Sequence, residues 1–340
     1  MSYEVENLKF TIFGHGHDVT RNDSGNGRKA PRTLNLSVQY AVIDESEDYV
    51  WFVADNKCVK YRTSDWTEVE TDIDENIVVL LHPNNVQNNI GVGITSSKYA
   101  YIFDLTDDSI INEGQLSASS ISYIENPMDC IIVEDVIYFC TLWQGRVTNR
   151  IYWIDKTDMS NGDVRVDQRG FSGFVSDDII YATNPVTTIS EYERIYGYNK
   201  SGVAVWENMA SIQGSGYFEN VKLGGFGGNG KLYALTHING KWTLGEYNAL
   251  SAPDFNNPNP SKTFGEFEST LWDIPNVNRS FVAYSDEREY AIISTSEGVL
   301  FTDFNDCEFL GSEIELAYAC SPNYVICSDR LRTKVNIYAI

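Results

Sequence analysis

The sequence predicts an all-β chain assembled from one repeated unit of short antiparallel strands. Three observations predict it: a heavy aromatic load, a recurring strand-and-turn signature, and the lack of any long amphipathic helical pattern. The 340 residues include 21 Tyr, 16 Phe and 7 Trp, side chains that suit pleated, half-buried surfaces better than helices. A chain of this length buries a substantial core, and its 42% of hydrophobic residues supply one.

The repeat is an apolar, aromatic-rich strand ending in an aromatic or apolar residue, usually followed by Asp or Asn and a polar turn. Its copies are VKYRTSDW near Tyr61, YIFDLTDD near Phe103, YWIDKTDM near Ile154 and YGYNKSG near Tyr198. GEYNALS near Tyr247, FTDFNDC near Phe304 and NIYAI near Tyr338 complete the set. Two further strand-like runs precede each copy. They are VQYAVID and YVWFVAD in the first unit, NIVVLLH and NIGVGIT in the second, and SISYIEN and DVIYFCT in the third. FSGFVS and DIIYATN follow in the fourth, NVKLGGF and KLYALTH in the fifth, RSFVAYS and EYAIIST in the sixth, and ELAYACS and YVICSD in the seventh. Runs of this kind, bounded by Gly, Asn, Asp and Ser, are strand signals. Their near-continuous apolarity fits sheets covered on both faces.

The copies recur every ~34 to 57 residues, close to the period of a four-stranded propeller blade. The last unit stops at Ile340 after its third strand, while an unassigned strand, Asn7 to Phe13 (NLKFTIF), precedes the first. The expected fold is therefore an all-β, seven-bladed β-propeller of four-stranded antiparallel blades. It is expected to be closed by an N-terminal strand (7–13) completing the C-terminal blade, which removes two exposed edges. The expected organisation is one domain over 1–340, with an arm at 14–35 and blades over 36–340. The pattern resembles the β-propeller superfamily of divergent WD40-like and quinoprotein-like repeats. The Gly-His and Trp-Asp signatures of WD40 repeats are absent, and Trp272-Asp273 does not repeat. The resemblance implies architecture, since one fold hosts many functions.

With 25 Lys and Arg against 48 Asp and Glu, the net charge is −23. That charge repels phosphate backbones and disfavours sequence-wide nucleic-acid binding. No apolar run is long enough for a transmembrane helix. MSYEVENLKF is acidic where a signal peptide is basic and then apolar. The expected localisation is thus a virion or the cytoplasm, without signal-peptide secretion or membrane insertion. The cysteines, Cys58, Cys130, Cys140, Cys307, Cys320 and Cys327, form no CxxC pair. They read as buried free thiols, with a Cys320–Cys327 disulfide as the alternative.

Several segments offer chemistry, each with a plainer reading beside it. Gly225 to Lys231 has the spacing of a phosphate loop, but Leu232 follows where Ser or Thr would hold magnesium. A Gly-rich hairpin is the better account. His15, His17 and Asp18 could share a divalent metal such as zinc, two of only four histidines being side by side on one face; the plainer reading is a turn. Asp104–Asp108 and Asp155–Asp163 offer carboxylates suited to calcium, though turns use Asp for backbone reasons. Ser64-Asp65-Trp66 matches a fragment of the sialidase Asp-box without repeating, and no catalytic residue set emerges. The connection Gly14 to Asn35 carries Arg21, Arg28, Lys29 and Arg32 against Asp18 and Asp23. A basic arm on an acidic chain reads as a partner-binding element, or else as a solvated loop. A second loop, Ser251 to Lys262, reads as an extended excursion without chemistry.

The first functional expectation is a non-enzymatic structural or protein–protein interaction propeller within a larger assembly. One version is a tailed-bacteriophage virion component such as a tail, nozzle or capsid accessory protein, whose acidic ring lines a DNA conduit without adhering to DNA. The alternative is a carbohydrate-active or other hydrolytic enzyme using a central pocket. A glycan-binding propeller is the third reading, with Trp66, Trp143, Trp206 and Trp242 as candidate platforms.

Overall fold

The structure is a computed structural model. It describes residues 9–11, 18–20, 31–83, 88–117, 126–143, 146–165, 173–176, 179–184, 193–199, 204–210, 221–227, 231–238, 241–248, 259–267, 281–283, 290–295, 298–303, 307–311 and 315–340. Every regular element among them is a β-strand.

Chain order begins with β1 (Lys9–Thr11), β2 (Asp18–Thr20) and β3 (Arg32–Leu34). The first sheet then runs β4 (Val38–Ile43), β5 (Tyr49–Ala54), β6 (Lys57–Arg62) and β7 (Thr67–Val69). The second comprises β8 (Ile77–Leu81), β9 (Ile90–Thr95), β10 (Tyr99–Asp104) and β11 (Ile110–Gln115). β12 (Asn126–Val133), β13 (Val136–Trp143), β14 (Arg146–Asp155) and β15 (Asn161–Arg165) form the third. The fourth is β16 (Gly173–Ser176), β17 (Ile179–Asn184), β18 (Glu193–Asn199) and β19 (Ala204–Ala210). The fifth is β20 (Val221–Gly227), β21 (Lys231–Ile238), β22 (Lys241–Asn248) and β23 (Lys262–Phe267). The sixth is β24 (Phe281–Ala283), β25 (Ala291–Thr295), β26 (Gly298–Thr302) and β27 (Cys307–Leu310). The last three strands are β28 (Glu315–Cys320), β29 (Tyr324–Asp329) and β30 (Val335–Ala339).

Among the described residues these make seven four-stranded antiparallel sheets and one two-stranded sheet. In the first six, strands pair in sequence order; in the seventh the order is β28-β29-β30-β3. The N-terminal strand beside β30 is thus Arg32–Leu34, in register with Val335 to Ile337. This corrects the expectation that 7–13 fills that place: Lys9–Thr11 instead pairs with Asp18–Thr20. The reason is connectivity. Only residues 35–37 separate β3 from β4, and a short link costs less closure entropy than one running from residue 13. The arm expected at 14–35 accordingly contains two strands.

The third sheet brings a second correction. Its first strand is Asn126–Val133, not SISYIEN, most of which lies outside the described residues. Pro127 masks this strand in the sequence, but β12 is a sheet edge, where a missing N–H is tolerated. Bulges recur in the first strands, at Val38/Tyr40, Ile77/Val79, Pro127/Cys130, Leu223/Gly225 and Ala317/Ala319. The Val38 carbonyl accepts a 3.0 Å bond from Tyr318 Oη of the seventh sheet.

Burial explains the apolar runs. Tyr40, Val42, Trp51 and Val53 join a core with Ile77, Val92, Phe103 and Leu105 of the second sheet. Their neighbours Ala41, Ile43, Val50 and Phe52 join another with Leu316, Tyr318, Ile326 and Ile337 of the seventh. Successive residues of one strand point to opposite faces, so a sheet covered on both sides needs apolar residues at nearly every position. The phosphate-loop spacing at Gly225 to Lys231 falls on the β20–β21 hairpin, with Gly227 opposite Lys231 and no helix after it.

Candidate interaction surfaces

Three turns joining third to fourth strands share one geometry. They are Arg62 to Thr67, Asp104 to Ser109 and Asp155 to Ser160. In each, the fifth residue donates its N–H to the first residue's carbonyl: Trp66 to Arg62 at 2.7 Å, Asp108 to Asp104 at 3.1 Å and Met159 to Asp155 at 2.9 Å. That residue has positive φ, 59° at Trp66, 66° at Asp108 and 60° at Met159. The fourth residue is an Asp that accepts from the sixth residue's N–H: Thr67 at 3.1 Å, Ser109 at 2.9 Å and Ser160 at 2.8 Å. Hydrogen bonds from Thr67, Ser109 and Ser160 hold Asp65, Asp107 and Asp158 below the usual carboxylate range. Asp104 and Asp155 likewise accept from Thr106 and Thr157 N–H, each at 2.8 Å. Asp104, Asp107, Asp155 and Asp158, among the carboxylates weighed for calcium, and Asp65 of the Asp-box fragment are therefore turn acceptors. No group of three or more metal-suited side chains occurs among the described residues.

A polar seam joins the first and second sheets. Lys60 on β6 is only 3% exposed. Its Nζ donates to the Thr106 carbonyl at 2.6 Å and to Asp108 Oδ1 at 2.5 Å, both in the β10–β11 turn. The Tyr49 ring lies 3.9 Å below it and the Trp51 ring 5.2 Å away, a cation–π setting. Trp51 Nε1 donates to the Leu105 carbonyl at 2.7 Å. Asp44 accepts from Thr106 Oγ1 at 2.8 Å, and Asn89 donates to Asp104 and Thr106 at 2.7 and 2.6 Å.

His82 lies at the same end of the sheets. Its Nδ1 is 2.8 Å from the Ile90 carbonyl, and its Nε2 is 3.6 Å from Glu45 Oε1. Burial dominates and pushes its pKa down from 6.5 to about 4, so at neutral pH the Glu45 contact is not an ion pair. A histidine with a folded pKa below its unfolded value binds fewer protons when folded. Its stabilising contribution is full above pH 6.5 and is lost as pH falls toward 4. We expect the Tm difference between wild type and His82→Gln to shrink across that window, as measured by thermal melts from pH 7 to pH 5.

The seventh sheet holds a buried carboxylate. Glu315 is 3% exposed; it accepts from Tyr338 Oη at 2.7 Å and from Asn336 Nδ2. Asn336 Oδ1 accepts from Thr33 Oγ1 on β3 at 2.9 Å, so a polar chain crosses the sheet from β28 to its N-terminal strand. Cys320 and Cys327 are buried free thiols, as are Cys58 and Cys130. Burial, with Glu315 and Cys320 nearby, pushes Cys327 well above its ordinary value.

The predicted site residues divide sharply. Arg32 sits exposed on β3, opposite Ile337. Arg21, Arg28, Lys29, His15 and His17 lie outside the described residues, as does the Asp18 side chain. Trp66 is a core residue at 9% exposure, edge-on to Tyr324 with centroids 5.7 Å apart. It is no glycan platform. The side chains of Trp143, Trp206 and Trp242 lie outside the described set.

Sequence reasoning missed the β29–β30 hairpin. Arg330, Arg332 and Lys334 fall within five residues there, and Leu331 between them is 79% exposed. Asp329 accepts from Thr333 N–H at 2.6 Å, Thr333 Oγ1 at 2.7 Å and Lys334 N–H at 2.9 Å. Three cations so close in a chain of net charge −23 were the available signal. Lys60, a lone lysine inside an apolar strand, was another.

No protein-family model matches the chain, and no curated protein matches it. Solved structures do. The β-propeller domain of Cps50 (Swd1) from Myceliophteria thermophila superposes with a TM-score of 0.55 at 9% identity, covering 92% of this chain and 99% of that one. The fold is a β-propeller. A chain from a crystal structure of the mitotic checkpoint complex superposes on the propeller with a TM-score of 0.56 at 7% identity, covering 94% of this chain and 98% of that one. At such identities the likeness carries the architecture of the propeller and not an activity.

Proposed function

We propose that this chain is a non-enzymatic, single-domain propeller of seven blades that binds a protein partner through its basic N-terminal segment. The tailed-phage virion component is the specific version of that reading, with the propeller as one part of a larger assembly. Support for the ring comes from the order of contact: β4 neighbours β8, then β12, β16, β20, β24 and β28 follow in turn, and β28 neighbours β4. β3 pairing with β30 supports closure by the N-terminal segment.

One observation carries the interaction reading. Arg32 sits exposed on β3 of the seventh sheet, the sheet that also carries the Arg330–Lys334 hairpin. About three residues of strand, or ~10 Å, separate the two. Arg32 and the three hairpin cations thus share one sheet of an otherwise acidic protein, which favours an acidic protein surface as partner.

Charge reversal at Arg21, Arg28 and Lys29 tests this while leaving β3 in place. In pull-downs from the source lysate, the triple Glu variant is expected to lose at least about nine-tenths of one dominant partner, with an unchanged thermal melt. Equal recovery by both forms, or turnover of a glycan panel by the purified chain, would sink the reading.

A further inference from the structure

We propose that the β29–β30 hairpin is a docking knob for a second copy of this chain, and that it seats on the outer edge of the second sheet. The arm contact proposed above is tested at Arg21, Arg28 and Lys29, whereas this contact is carried by Leu331 and is tested there and at Ile111. Leu331, at 79%, is the most exposed large hydrophobic residue among those described, and Ile111 and Ile110, at 49% and 48%, come next. The two sites are complementary in charge. Arg330, Arg332 and Lys334 flank Leu331, whereas the exposed Asp107 and Glu113 flank Ile110 and Ile111.

Each site is built and not loose. The hairpin is fixed by the three bonds onto Asp329, by Arg332 N–H donating to the Asp329 carbonyl at 2.9 Å, and by a φ of 57° at Arg332. The isoleucines open strand β11, which pairs with β10 along its length. Next to them Asn112 donates to the Lys156 and Thr157 carbonyls of the third sheet, at 3.2 and 2.9 Å. Preorganised elements lose less entropy on docking.

The sites also lie at opposite ends of the sheets. Asn323, in the β28–β29 turn, donates to Glu47 in the β4–β5 turn at 3.1 Å, and Glu45 N–H donates to Asn89 before β9 at 3.1 Å. First-to-second turns of the seventh, first and second sheets therefore share one end. The β10–β11 turn, two strands along, returns to that end, and the β29–β30 hairpin projects from the other. A knob at one end and a seat at the other cannot satisfy each other within one molecule. Between copies they make a head-to-tail contact, which builds rings or filaments according to its rotation.

Net charges of −23 oppose the approach of two copies, but salt screens them beyond ~8 Å at physiological ionic strength. The local cation–carboxylate and apolar contacts then decide the register. One hairpin buries little area, so the contact belongs to the weak class.

Sedimentation velocity on the full chain tests this. Wild type is expected to associate with rising concentration. Leu331→Asp and Ile111→Lys are each expected to weaken association at least about tenfold, with unchanged circular dichroism. Mixing those two variants is expected to restore a one-to-one dimer and nothing larger, because the pair retains one intact knob and one intact seat. Wild type that stays monomeric throughout overturns the proposal and leaves the knob to a different acidic partner. Association unaffected by Leu331→Asp, or a mixture that fails to dimerise, overturns it as well. Partner capture by the arm is read in a different experiment, so either proposal can fail alone.

Discussion

Lys60→Ala is expected to lower the unfolding free energy by about 3 to 5 kcal/mol, the loss typical of breaking a buried ion pair. The side chains of Lys60 and Asp108 are 4% and 13% exposed, so solvent cannot take over the bond. The substitution strands the Asp108 carboxylate, leaves the Thr106 carbonyl short of a donor, and removes the cation from the faces of Tyr49 and Trp51. It also removes two of the bonds that tie the second sheet's β10–β11 turn to the first. Urea unfolding followed by tryptophan fluorescence measures the loss. Lys60→Met combined with Asp108→Asn should cost markedly less than Lys60→Ala, since no charge is then left alone. Equal losses in both would mean that packing of the lysine stem, and not the ion pair, holds the seam.

Glu315→Ala is the second large effect, also about 3 kcal/mol or more. The carboxylate accepts from two buried donors, Tyr338 Oη and the Asn336 amide, and hydrogen bonds to a charged group contribute about 1.5 to 3 kcal/mol each. Alanine removes the carboxylate that both donors reach and loosens Asn336, whose other end holds Thr33 on β3. Replacement of the carboxylate by Gln keeps the shape and one acceptor, and should cost roughly 1 to 2 kcal/mol. Hydrogen exchange at β3 and β30 separates a local from a global effect. Glu315→Ala is expected to raise exchange at Thr33 and Asn336 more than in β5, whereas uniform acceleration would mean that the carboxylate supports the whole core.

Much of the strand inventory was legible because burial on both faces leaves a plain mark. YVWFVA is apolar at every position, and the structure buries Val50, Phe52 and Ala54 on one side and Trp51 and Val53 on the other. The third-strand signature was legible for a different reason. Asp65, Asp107 and Asp158 must accept a backbone N–H two residues on, and few side chains can do so. Elsewhere local reading failed. Pro127 hid the strand Asn126–Val133, because only sheet position makes a proline tolerable there. RTL at 32–34 carries no strand signal of its own, with two of its three residues exposed. It is a strand because β30 offers it a register.

The candidate sites divide along the same line. The basic composition around Arg32 could be read from the chain, since net charge and its local exceptions are properties of sequence. That Arg32 and the Arg330–Lys334 hairpin share a sheet could not, because about 300 residues separate them and only strand pairing brings them together. Lys60 reads as an ordinary strand lysine until the neighbouring turn supplies Asp108. The sequence by itself determined the all-β class, the repeat and the turn chemistry, all of which arise from contacts within a few residues. The tertiary structure decided which N-terminal strand joins the seventh sheet, which charges are buried and that Arg32 shares a sheet with the Arg330–Lys334 hairpin, because those outcomes depend on partners that local sequence does not specify.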